Sequence, residues 1–333
     1  MKTAIVDLET YFYRKEGHSL DKMSPIAYCM HPETEIISCA FKFGNKKTVV
    51  AFGEREVRLV CDDVDWSDYL VVGHNMSGFD AMILAWRLGI KPKMWGCTLA
   101  MARPIHAKDV GLSLAKLVAH YGLGNKDQSA LFKTEGKKLA DFTAQELTDM
   151  ERYNKADVDQ CYALLARLIK QIPKAELLLI DMTIRMLVEP QLNVDVKLLA
   201  KTLRKQQLLA EAADLLGVDT FFLTEEEAAK AASKILSSQK KFKELLEALD
   251  VDIPYKQNSK GEDIPALAKT DEDFLLLQEH SNPMVAAAAA ARLEAKSTIL
   301  QTRLQAFMDA ANAHPDKKLP VPLRYYGADT TGR

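Results

Sequence analysis

Five residues in three short segments have the types and spacing for metal-assisted hydrolysis. They are Asp7 and Glu9 in Ile5-Val6-Asp7-Leu8-Glu9-Thr10, Asp80 closing Gly73-His74-Asn75-Met76-Ser77-Gly78-Phe79-Asp80, and Tyr153 with Asp157 in Tyr153-Asn154-Lys155-Ala156-Asp157. Residues i and i+2 of a strand share a face, so Asp7 and Glu9 project together while Val6 and Leu8 turn to the core. The apolar lead-in Ala4-Ile5-Val6 marks that strand as interior. Two carboxylates side by side there repel each other unless a cation bridges them. Tyr153 and Asp157 are four apart on a helix and share a face; a phenol can position a water and a carboxylate can ligate a hard cation. Asp80 opens an apolar helix after a turn that Asn75 could hold by side-chain hydrogen bonds. Each motif has a structural alternative: solvated acids at a strand end, a first-turn acid on a helix dipole, an amphipathic helix with a surface Asp. Taken together, in this order and on these element types, they suit two-ion phosphodiester hydrolysis. Two divalent ions about 4 Å apart activate a water and stabilise charge on the attacking and leaving oxygens. No histidine or lysine base is then required.

The elements that must position these residues follow from periodicity. Thr3–Leu8, Ile36–Phe43 and Thr48–Phe52 read as strands, and Leu70–Val72 as a short buried one. Phe79–Leu88, Ser113–Tyr121 and Ala144–Ile172 read as helices, the last opened by the capping box Thr143-x-x-Glu146. This mixture over residues 1–172 predicts an α/β layered domain. After Pro173 the β signal nearly vanishes. Val194–Leu216 predicts one long helix closed by Gly217. Thr224-x-x-Glu227 and Thr270-x-x-Asp273 open two more helices, and Asn282-Pro283 begins another running through six alanines to about Phe307. Asn258–Asp263 is a polar turn.

Composition sets the bounds. A chain of 333 residues with 48% hydrophobic and 27% charged residues fits two globular domains and a small appendage. Five scattered cysteines, none in a C-x-x-C pair, point to a reducing compartment and away from structural zinc. A net charge of −2 means that any nucleic-acid binding must use local basic patches. No run of 18 apolar residues is present, so neither a membrane span nor a signal peptide is expected.

Over residues 1–172 the three motifs resemble the tyrosine-containing branch of the DEDD exonuclease superfamily. The resemblance implies a ribonuclease H-like α/β exonuclease domain, a central mixed sheet flanked by helices. It implies two Mg²⁺ ions, with Mn²⁺ able to substitute: Asp7, Glu9 and Asp157 hold one, and Asp7, with Asp80 through water, the second. Tyr153 would orient the attacking water and Thr10 would touch the 3′-terminal nucleotide, with Asn75 and Phe79 also among the substrate-binding residues. Cys97, in Gly96-Cys97-Thr98-Leu99, stands where many relatives have an aspartate, a departure of little expected consequence.

Further along, Glu294-Ala295-Lys296-Ser297-Thr298-Ile299, Thr302-Arg303, Leu319-Pro320-Val321-Pro322-Leu323-Arg324-Tyr325-Tyr326-Gly327 and Thr331-Gly332-Arg333 resemble the thumb-to-palm region of phage-type family A DNA polymerases. By that resemblance 173–311 is an all-α thumb-like domain, its long helices at Val194–Leu216 and Pro283–Phe307, and 312–333 is the truncated start of a palm. Lys296, Thr298 and Arg303 would contact duplex phosphates, which position DNA without reading its sequence, and Arg333 would reach the minor groove near the primer terminus. For Lys296 and Arg303 a solvated helix face is the competing explanation. The palm aspartates and fingers helix of the family are not in this sequence. The expectation is therefore a proofreading 3′–5′ exonuclease without polymerase activity of its own. It would be one subunit of a split polymerase, with a second chain carrying the rest of palm and fingers, or an N-terminal fragment. Residues 312–333 would then be poorly ordered alone. A non-catalytic DNA-clamping subunit and an RNA-processing DEDD exonuclease are the alternatives. The resemblance places the protein in a bacterial or phage-infected cytoplasm.

Overall fold

The computed structural model describes residues 1–124, 134–203, 225–295 and 298–327. The chain divides into two compact units: Met1–Val194 with Asp309–Arg333, and Asp195–Met308. In the first, the strands β1 (Lys2–Thr10), β2 (Ile36–Phe43), β3 (Val49–Phe52), β4 (Tyr69–Gly73) and β5 (Met94–Cys97) form one five-stranded sheet of order β3-β2-β1-β4-β5. β2 is antiparallel to β1 and β3, whereas β4 is parallel to both β1 and β5. This is the expected central mixed sheet. Ala4, Ile5 and Val6 are fully enclosed at its centre, as are Val71 and Val72 of β4. A Cβ on Gly73 would come within 2.6 Å of Met76 Sδ and 3.0 Å of the Val6 carbonyl oxygen, so glycine lets the turn after β4 close against β1.

The helices of this unit are α1 (Pro25–Cys29), α2 (Gly53–Asp62), α3 (Asp80–Met82), α4 (Thr98–His106), α5 (Leu114–His120), α6 (Ala144–Leu168) and α7 (Lys174–Val188). The capping box of α6 is as expected: Glu146 N–H donates to Thr143 Oγ1 (3.3 Å) and Thr143 N–H to Glu146 Oε2 (2.8 Å). Val158, Leu164 and Leu168 of α6 are fully buried in the main core, which Ile180, Ile184 and Leu187 of α7 also join. The 172/173 line drawn from sequence marks a change of texture, and compactness keeps α7 with the sheet.

Several expectations are corrected. Phe79–Leu88 is not one regular helix: α3 passes into a π-helical turn at Ile83–Arg87, where Leu88 N–H donates to Ile83 O (3.1 Å). β5, α2 and α4 had no sequence prediction. Cys97 has a definite task, its Sγ accepting the Ala100 N–H (3.4 Å) to cap α4. The tail as far as Gly327 is tied down rather than poorly ordered. Lys318–Leu319 pairs with Leu192–Asn193, Val321 N–H donates to Met186 O (3.0 Å), and the Tyr325 hydroxyl donates to Glu176 Oε2 (2.5 Å). Tyr325 packs against the core of the first unit, whereas Leu323 is exposed.

The second unit is mostly helical, with Glu225–Ser237, Gln239–Ala248, Glu272–Leu276 and Pro283–Ala295 among its elements. It is not all-α: Tyr255–Gln257 and Asp263–Pro265 form a hairpin around the expected polar turn, in which Asn258 Oδ1 accepts from Lys260 N–H (2.8 Å). Of the predicted Val194–Leu216 helix, Val196–Leu203 is helical, Val194 and Asp195 precede the helix, and 204–216 lie outside the described residues, as do Gly217 and Thr224. Asp271, not Thr270, precedes Glu272–Leu276. Asn282 accepts the Met284 N–H (3.0 Å) at the start of the alanine helix, and Ala288 and Ala289 are buried in its core. In the run to Phe307, Pro283–Ala295 and Thr298–Ala313 are helical, and 296–297 between them lie outside the described residues.

Candidate active site

The β1–β4 ladder ends at Ile5↔Val72, but β1 continues beside β2 to Thr10↔Ile36, with a register shift after Glu9. Asp7 to Thr10 therefore project past the last paired residue of β4. Strand backbone left without a neighbour needs another hydrogen-bond partner. Chain leaving β4 supplies it: it turns at Asn75 (φ 77°) and through Met76–Gly78, then returns as Asp80. Asp80 Oδ1 accepts the Leu8 N–H at 3.2 Å, from the residue between Asp7 and Glu9. Gly78 N–H donates to the Asn75 carbonyl (2.8 Å), so backbone rather than the Asn75 side chain closes this turn.

Asp80 is 3% exposed. Burial, followed by the Asp7 carboxylate, pushes its carboxyl well above the usual carboxylate range; Glu9 adds to the rise and the Leu8 N–H opposes it. Asp7 and Glu9 are half-buried. The like charges of β1 thus act on Asp80.

Tyr153 and Asp157 lie on α6, the former half-buried and the latter 6% exposed. Between them, fully buried Asn154 donates through Nδ2 to Ser38 Oγ (2.5 Å), and Ser38 is the register partner of Glu9 across β1 and β2. This turn of α6 is thereby fastened beside the acidic end of β1. One turn on, the Cys161 thiol is pushed up by burial and further by Asp7 and Asp80, which shows α6 within the field of the same carboxylates. Asn154 was quoted in the sequence motif but assigned no role; a lone Asn within a helix gives no signal for a contact to residue 38.

Beside Glu9 a cleft of about 310 Å³ opens, lined in part by Thr10, Phe12, Arg14, Ser19, Tyr28 and Phe79. Three expected site residues, Glu9, Thr10 and Phe79, meet there. Tyr28 and Ser19 went unnoticed because residues 11–31 carry no periodicity or motif. Arg14 donates to Asp21 Oδ2 (2.9 Å) and Glu135 Oε2 (3.3 Å). His74, although inside a motif, holds structure, with Nδ1 at 2.9 Å from Thr98 Oγ1 and Nε2 at 3.0 Å from Leu112 O. Of the residues assigned to duplex contacts, Arg303 is exposed and Thr298 starts a helix, whereas Lys296 and Arg333 lie outside the described residues.

Asp7, Glu9, Asp80 and Asp157 fit a hard divalent cation in donor chemistry, all oxygen and mutually repelling. Among the described residues no group of three or more His, Cys, Asp or Glu is already drawn into metal-holding geometry.

No family model and no curated protein matches this sequence. Solved structures with a likeness include Brucella melitensis NrnC, 13% identical with TM-score 0.40 over 55% of this chain and 80% of that one. The family B DNA polymerase of the archaeon Pyrobaculum calidifontis is 11% identical with TM-score 0.39, over 93% of this chain and 50% of that one. The POL domain of Pol1 from M. smegmatis, in complex with DNA primer-template and dNTP, is 16% identical with TM-score 0.38, over 95% and 47%. The chain thus spans about half the length of the two polymerases. All these scores are below 0.5, and the functional assignment rests on this chain's own residues.

Proposed function

We propose that the first unit is a divalent-metal-dependent 3′–5′ exonuclease with a ribonuclease H-like sheet, serving as the proofreading exonuclease of a family A DNA polymerase. The observation that carries this is the Asp80 carboxylate, buried and hydrogen-bonded to Leu8 N–H at 3.2 Å between two further acids of β1. A protein core does not gather like charges for stability; a cation-binding site does. Bound ions would supply the activated water and the stabilisation of attacking and leaving oxygens. Asp7, Glu9 and Asp157 would hold one ion, and Asp7, with Asp80 through water, the other. The Leu8 N–H fixes the Asp80 carboxylate on the strand, and the Asn154–Ser38 bond fixes the turn of α6 from which Tyr153 orients the water. Thr10 and Phe79 receive the terminal nucleotide in the cleft. The second unit would follow duplex phosphates through Lys296, Thr298 and Arg303, with Arg333 near the primer terminus.

The test uses 5′-labelled single-stranded DNA and RNA of one sequence, incubated with Mg²⁺ beside an Asp7→Ala control and an EDTA control. A ladder of shortened DNA products, absent from both controls, is expected. Preferential shortening of RNA would move the activity to RNA processing, and no shortening of either strand would contradict a nuclease.

A further inference from the structure

The cleft beside Glu9 holds an arrangement of hydroxyls whose hydrogen directions can be worked out. The Tyr28 hydroxyl lies 2.7 Å from the Tyr11 carbonyl oxygen and 2.8 Å from Thr10 Oγ1. A carbonyl can only accept, and a phenol has one hydrogen. Tyr28 therefore donates to Tyr11 O and must accept from Thr10, which commits the Thr10 hydrogen to Tyr28. The phenol keeps its proton across the whole ordinary pH range, being pushed up to about 12 by burial against a downward pull from the Thr10 hydrogen bond. Tyr28 is itself held in place. Its ring lies 4.9 Å from that of His18 and 6.1 Å from that of Phe79, and Thr34 Oγ1 donates to its carbonyl at 2.6 Å. Thr10 and Tyr28 both line the cleft and are 8% and 2% exposed. Lone pairs are then all that Thr10 Oγ1 can offer a ligand.

A second observation points the same way. Ser19, also lining the cleft and 3% exposed, has a buried Oγ without a hydrogen-bond partner among the described residues. A buried hydroxyl is rarely left so without a water, an ion or a ligand to complete it, and Ser19 opens onto the cleft.

Resting on the exonuclease assignment, we propose that Tyr28 is a positioning residue. It makes Thr10 an obligate acceptor, so the cleft takes a terminal sugar group that donates a hydrogen, the 3′-hydroxyl, and rejects a 3′-phosphate. The ionised oxygens of a terminal phosphate would face the Thr10 lone pairs and the Glu9 carboxylate, both acceptors, while the Arg14 guanidinium that also lines the cleft is engaged by Asp21 and Glu135. A hydroxyl satisfies Thr10 and leaves Ser19 free to complete the ring or base contact.

Binding and cleavage are measured separately, so that the two assignments can fail separately. Fluorescence anisotropy in EDTA compares 5′-fluorescein DNA oligonucleotides ending in 3′-hydroxyl or 3′-phosphate, for wild type, Tyr28→Phe, Thr10→Val and the double variant. Wild type should favour the hydroxyl end by about tenfold or more, the cost of leaving a buried polar group unmatched. Tyr28→Phe frees the Thr10 hydrogen and should lose most of that preference while still binding. Thr10→Val should lose it equally, and the double variant no further. A purely structural Tyr28 would instead weaken both ends alike. Equal affinity of wild type for the two ends, no measurable affinity for either, or undiminished preference in Tyr28→Phe overturns the proposal, whatever the cleavage assay shows.

Discussion

The two units of the molecule bury a charged side chain in different ways, as Arg292 and Asp80 show. In the second unit Arg292 is fully enclosed, yet its guanidinium donates to the Leu267, Leu236 and Ser238 carbonyls and lies 4.3 Å from the centre of the Phe242 ring. Burial pushes it down only to about 10, so it stays charged, and the peptide dipoles around it compensate Nε and Nη1, while Nη2 has no partner among the described residues. In the first unit Asp80 accepts the Leu8 N–H across 72 residues and is pressed by the charges of Asp7 and Glu9. The arginine fastens two segments to the end of a helix; the aspartate is held at a raised free energy. The difference separates a structural ion from a functional one. A structural ion carries its compensation within the chain, while a functional ion leaves part of the compensation to something that binds.

Substitutions can break or sharpen this contrast. The largest effect is expected at Asp7→Ala, which should lower exonuclease activity on the order of 10³-fold or more while leaving the metal-free protein at least as thermally stable as wild type. A large fall in its Tm would show Asp7 to be structural. Next, Arg292→Met should cost about 3 kcal/mol by stranding the carbonyls it serves, read from urea unfolding. A cost near zero would make the two ions alike. Asp80→Asn keeps an acceptor for Leu8 N–H and removes the charge, so at pH 7 in EDTA it should raise the Tm above that of wild type. The sign follows from the raised folded-state pKa. The wild-type contribution is intact below the unfolded-state pKa and is lost as pH rises towards the folded one. The advantage of Asp80→Asn should therefore vanish below about pH 4 and open as pH increases. The smallest effect belongs to Tyr325→Phe, which removes the hydrogen bond to Glu176 and should cost about 1 kcal/mol or less, with faster proteolysis of residues 318–327.

The sequence was legible where a local pattern reports a local cause, and Arg292 was not singled out in it. The Asp7/Glu9 pair could be assigned to one strand face because side chains alternate, and Thr143 with Glu146 could be assigned to a cap because the reciprocal bonds span three residues. β5 escaped because Met94-Trp95-Gly96-Cys97 neither alternates nor carries β-branched residues. α4 escaped because Pro104 sits within it. Asp80 was found, but its partner was not: the Leu8 N–H becomes available only because β4 ends opposite Ile5, a fact of sheet register. Tyr28 and Asn154 act through contacts to residues 10, 11 and 38 that no spacing encodes. The tail was misjudged because its partners, Leu192, Met186 and Glu176, lie more than a hundred positions upstream.

The central claim is that the acidic end of β1 is left for a cation to complete, and thermal unfolding tests it directly. With MgCl₂ or MnCl₂ added at pH 7.5, the Tm of wild type should climb with metal concentration, as binding to the folded state alone requires. Asp7→Ala should show almost no climb, and Asp80→Asn, starting higher, a smaller one. A wild-type Tm indifferent to both metals, or a climb of equal size in Asp7→Ala, would contradict the claim.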